Sequence, residues 1–134
     1  MEEMNALIGR MVSRLFVSSG EGTLYFDTET GVLALDADGD CCSESWFADI
    51  TGVDALLGAT VLAVDVLDMP DVDDNRSRQE RDIAYGAQLT TTRGRCVVAF
   101  RNSSNGYYGG WITGPVDGAE IPATAKEITD DWSA

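Results

Sequence analysis

Hydrophobic positions along this chain recur at two spacings. Near the N-terminus Met4, Leu7, Ile8 and Met11 fall three or four apart and predict a short helix over residues 3–11. Beyond it the spacing shortens. Residues 12–19, "VSRLFVSS", alternate imperfectly, and "TLYFDTE" and "VLALDAD" at 23–29 and 32–38 are rich in β-branched and aromatic side chains. Turns at 20–22 and 28–31 separate them, so the three predict an antiparallel meander.

Residues 53–58, "VDALLG", predict a second helix closed by Gly58. The nearly continuous apolar run at 59–69, "ATVLAVDVLDM", predicts a central strand, stopped by Pro70. The polar, charge-mixed residues 71–82 predict an exposed loop. Residues 83–92 and 95–102 predict a hairpin turning at Arg93-Gly94, and Asn105-Gly106 signals a turn before a last strand at 111–116. An acidic tail at 117–134 carries a short helix at 123–128, "ATAKEI".

The sum is an α+β fold: a single domain over residues 1–116, then the tail at 117–134. A mainly antiparallel sheet of about six strands has two short helices packed on one face. The opposite face must be solvated or paired with a second subunit, so a homo-oligomer is expected.

Composition narrows the class. A chain of 134 residues with 44% hydrophobic content can build one real core. No apolar run reaches 18 residues, so no membrane span is expected, and the acidic N-terminus is not a signal peptide. Three cysteines, two of them adjacent, do not make a disulfide framework and suit a reducing cytoplasm. The chain has no histidine, which excludes Ser-His-Asp and Cys-His catalysis and the commonest zinc ligand. A net charge of −14 repels DNA and acidic membranes, so neither direct nucleic-acid binding nor a membrane partner is expected. Such a charge serves solubility, or it imitates nucleic acid to occupy a DNA-binding protein.

The run "DADGDCCSESWF" at 36–47 invites a metal reading and fails it. Asp36, Asp38 and Asp40 suit the first three calcium-loop positions, but Gly39 and Cys41 stand where the alternation and glycine should be, and Phe47 replaces the closing Glu. Adjacent Cys41 and Cys42 lack zinc-finger spacing, and Cys96 reads as a small buried hydrophobe in a strand. The run therefore reads as a capped turn from a strand into the short helix, with Trp46 and Phe47 as anchors. Glu44 before this aromatic pair is the best general-acid candidate, weighed against a first-turn acid of the helix. No catalytic residue, metal or cofactor is assigned.

Phosphate binding has more support. Eight of the nine basic residues are arginine, and Arg93, Arg95 and Arg101 flank the hairpin that also carries Tyr85, Tyr107, Tyr108 and Trp111. Arginine forks a phosphate and aromatic faces stack a nucleobase. Such a mix marks a nucleotide pocket, or surface arginines paired with neighbouring acids. Asn102 and Asn105 offer paired donors and acceptors to a base edge or ribose, although Asn-Gly is first of all a turn signature.

Two segments carry a resemblance. "GDCCSESWFADITGVDALLGATV" at 39–61 and "FRNSSNGYYGGW" at 100–111 resemble a family of small phage proteins with Asp-Cys-Cys and Ser-Asn-Gly-Tyr-Tyr signatures, the latter at Ser104–Tyr108. "LIGRMV" at 7–12 is similar to that family's start, so the likeness touches most of residues 5–112. Departures are Gly109 in place of the commoner Ser and the added polar loop at 71–82. The family in turn is similar in size and layout to the phage anti-Thoeris sponges, α+β oligomers that hold cyclic ADP-ribose signals without cleaving them. That likeness implies a non-enzymatic anti-defence protein in the infected bacterial cytoplasm, with a cyclic nucleotide as its partner. It assigns no residues. The physical candidates for ligand binding are Tyr85, Arg93, Arg101, Asn102, Asn105, Tyr107 and Tyr108. The competing expectations are an acidic DNA mimic that blocks a CRISPR or restriction complex, and a purely structural or interaction domain.

Overall fold

A computed structural model describes residues 2–40, 43–69, 81–104 and 109–134. The fold is largely β, not α+β. Among the described residues one mostly antiparallel sheet of ten strands carries only two short helices. A 3-10 helix spans Glu2–Leu7, followed by β1 (Met11–Val17), β2 (Thr23–Thr28) and β3 (Gly31–Gly39). Then come β4 (Glu44–Thr51), α1 (Val53–Leu56) and β5 (Ala59–Asp68). The chain continues through β6 (Arg81–Thr91), β7 (Gly94–Ser104), β8 (Gly110–Asp117), β9 (Lys126–Ile128) and β10 (Trp132–Ser133).

Three of these strands account for the correction. Residues 36–47 were expected to be a capped turn into the short helix, but Glu44–Thr51 form β4 and pair with β7 over their whole length. Period-two alternation is hidden there because a register shift between Phe47 and Asp49 places Phe47 and Ala48 both in the core. The residues expected as a tail helix contain β9, which pairs with β1, and β10 follows to pair with β4. Isolated strands of three and two residues leave no periodicity to detect; they exist because an edge is waiting for them.

Strand order is β10-β4-β7-β6-β5-β1-β2-β3-β8, with β9 set against β1. The two halves meet at a narrow seam, where β5 and β1 share only the pairs Met11–Thr60 and Val12–Ala59. The sheet folds over at that seam. Leu15, Leu24, Phe26, Leu33 and Leu35 of one half and Phe47, Ile50, Leu89, Val98 and Phe100 of the other form one buried cluster. Each half thus covers the inner face of the other, which removes the need for a second subunit to do so. The halves are also tied by Phe47 N–H donating to Glu21 O at 2.7 Å and Ser45 O–H donating to Asp38 O at 2.9 Å.

At one end the fold is tightly closed. Gly52 precedes α1 with φ of +80°, and a Cβ there would lie 2.2 Å from Arg95 O, so only glycine fits. Asp131 Oδ1 accepts the N–H groups of Gly52 at 2.8 Å and Val53 at 3.1 Å. The acidic tail therefore latches the start of α1. No helix among the described residues is long and apolar enough to cross a membrane.

Candidate functional site

The opposite end is open. Val61 still bonds Gly9 and Arg10 through its backbone, and from Leu62 to Asp68 β5 pairs with β6 alone among the described residues. Val66 lies opposite Ala87 in register; Ala87 is fully buried, yet Val66 is 67% exposed. Residues directly opposed in an antiparallel pair share a face, so this part of β5 has lost its cover. On the far side β8 pairs only with β3 among the described residues.

A cleft of about 460 Å3 opens between the end of β5, β6 and β8. Phe100 and Tyr85, opposed in register, stack with centroids 4.8 Å apart and planes 12° from parallel. Trp111, 42% exposed, lines the β8 side, and Val66, Asp68 and Glu3 complete the rim. Its size and largely apolar walls match a small-molecule site. Tyr85 is held in place because its Oη accepts the Gly110 N–H at 3.2 Å.

Behind Gly110 sits a buried polar node. Asn102 is fully buried, and its Nδ2 donates to Ser43 Oγ at 3.1 Å and Ser45 Oγ at 2.8 Å. Both serine hydroxyls donate onward, to Asp40 O at 2.7 Å and Asp38 O at 2.9 Å, so their oxygens remain as acceptors. This fixes the amide orientation and turns Oδ1 away from the serines, where it has no hydrogen-bond partner among the described residues. An unpaired buried acceptor costs on the order of 1–3 kcal/mol. The strands approach so closely here that a Cβ on Gly39 would lie 2.6 Å from Asn102 Nδ2, and one on Gly110 would lie 2.8 Å from Asn102 Cβ.

The residues expected to bind a ligand do not assemble into one pocket. Tyr85 lies in the cleft and Asn102 just behind it. Arg101 faces the other side of β7, with its guanidinium carbon 5.1 Å from the ring centre of Trp46, its register partner on β4. It shares an outer groove with Glu21 and Glu44. Glu44 is exposed there, outside any apolar setting. Arg93 sits in the β6–β7 turn and donates to Leu57 O at 3.0 Å. It is roughly 25 Å along the strand from Arg101. Asn105, Tyr107 and Tyr108 lie outside the described residues, as do Cys41 and Cys42. Cys96 is fully buried, and burial pushes its thiol up to about 12, with the charges of Asp131 and Asp54 adding to the shift.

Sequence reading missed Asp68, Val66 and Phe100 as cleft residues. Asp68 ends a run that reads as a buried strand, and only the departure of β1 exposes it.

Fold and site define a folded-over antiparallel sheet, open at one end around an aromatic cleft. Residues 5–113 match the family described as Domain of unknown function (DUF7448), and the chain belongs to that family. It is also similar to an uncharacterized protein of Acanthamoeba polyphaga mimivirus, with 33% identity over 95 residues, covering 66% of this chain and 71% of the relative. No solved structure matches.

Proposed function

We propose that this protein captures a small molecule by a flat ring and holds it unaltered, so that a virus deprives its host's defence of a nucleobase-bearing signal. The observation that carries this reading is the Tyr85–Phe100 stack, 4.8 Å between centroids, in a cleft of drug-sized volume. The relative in a virus supports the viral setting. The resemblance to phage sponges supplies the anti-defence part and the cyclic nucleotide as ligand class.

The cleft modifies how such a ligand would enter. Arg93 and Arg101, the residues suited to a pyrophosphate, are not among its lining residues, whereas Asp68 and Glu3 are. A nucleotide would therefore insert its base and keep its phosphates outside, away from the carboxylates.

A thermal-shift screen with adenosine, AMP, cyclic dinucleotides and cyclic ADP-ribose, followed by recovery of the ligand after heating, tests the proposal. Ligand at 100 times its dissociation constant adds about 2.7 kcal/mol. A shift that Tyr85→Ala removes, with ligand recovered intact, is the expected result. Altered ligand would make the protein an enzyme. No shift with any of them, together with inhibition of a DNA-binding defence complex, would favour nucleic-acid imitation by the −14 charge instead.

A further inference from the structure

The polar groups around the cleft are biased toward one kind of hydrogen bond. Asp68 opposes Tyr85 in register and brings an acceptor-only carboxylate to the rim. Glu3 adds a second carboxylate to the lining. No arginine or lysine appears among the cleft's described lining residues. Aromatic faces attract positive charge through their quadrupole. Each of these observations asks the ligand for N–H donors and positive charge, and none asks for a phosphate.

We infer that the cleft takes a flat organic cation bearing N–H donors, of the amidinium type, with its ring against Tyr85 and its donors toward Asp68. The inference rests on the cleft being the binding site, and it adds the charge and donor pattern of the ligand. A nucleobase-bearing signal fits it through a protonated or amino-bearing ring edge.

Three probes of nearly equal shape separate charge from fit: benzamidine, benzamide and benzoate, titrated calorimetrically into the full-length protein. Expected affinity falls in the order +1, 0, −1, by about tenfold at the first step, the ratio for one charge-assisted hydrogen bond. Asp68→Asn should erase most of the preference for benzamidine over benzamide. Benzoate binding as tightly as benzamidine, with both lost in Tyr85→Ala, would overturn the inference while leaving the cleft as the site. Probe binding unchanged by Tyr85→Ala would overturn both, and no binding by any probe would overturn the inference alone.

Discussion

The two ends of this molecule solve opposite problems. At the closed end backbone meets backbone: Gly52 sits against Arg95, Asp131 caps α1, and Thr91 Oγ1 donates to Ala55 O. Among the described residues no buried side-chain nitrogen or oxygen at this end lacks a partner. At the open end β5 has parted from β1, Val66 is uncovered, and Asn102 Oδ1 lacks a partner among the described residues. The apolar surface left uncovered at the second end is what the proposed ligand would bury. The closed end keeps the domain folded while the open end tolerates that exposure.

The sharpest way to break the contrast is at Gly52. Gly52→Ala places a Cβ 2.2 Å from Arg95 O in a left-handed conformation, and a loss on the order of 3–5 kcal/mol is expected in urea unfolding. Gly110→Ala strikes the open end instead. Its Cβ would press on Asn102 and Ser45, costing about 1–3 kcal/mol and disturbing the cleft as well. If the two substitutions cost the same and neither touches binding, the division between ends is wrong.

Asp131→Ala removes an acceptor shared by two backbone N–H groups and should cost about 1–2 kcal/mol, read from the same unfolding curves. This residue therefore cannot serve as a purely electrostatic probe of nucleic-acid imitation; loss of inhibition in an Asp131 variant would have to be corrected for stability.

Two pH effects complete the series. Cys96 holds its proton more tightly folded than unfolded, because burial raises its pKa from 9.0 to about 12. Stability from the neutral thiol is full below pH 9 and is lost as pH rises toward 12, a decline that Cys96→Ala should flatten. Asp117 has the opposite sign. Its hydrogen bonds from Arg10, at 3.1 and 3.4 Å, hold its carboxyl below the usual range, so its contribution is present above the ordinary carboxylate pKa and fades as acid protonates it. The pair is exposed, so Asp117→Asn should give the smallest effect here, one that salt abolishes.

Much of the strand pattern was legible. β1, β2, β3 and β5 through β8 fall where β-branched runs and glycine turns placed them, because hairpin turns are local. β4 was obscured by its register shift and its acids, and β9 and β10 are strands only by virtue of the edges they meet. The seam between β5 and β1, on which the cleft depends, has no local signature at all. For the site, one error was avoidable. Arg101 and Asn102 are neighbours on a strand, and period-two alternation sends neighbours to opposite faces, so the two could not line one pocket. Arg93 in the turn was equally out of reach of the cleft. Tyr85 and Asn102 share a region because both face inward, a fact that became readable only once the register of β6 against β7 was known.

The most direct test sets the cleft against the outer groove. The best ligand from the thermal-shift screen is titrated into Tyr85→Ala and Arg101→Ala, each checked for a native melting curve. Binding lost by at least tenfold in Tyr85→Ala and retained in Arg101→Ala is the expected result. Binding retained in Tyr85→Ala and lost in Arg101→Ala would contradict the cleft and move the site to the Trp46–Arg101 groove.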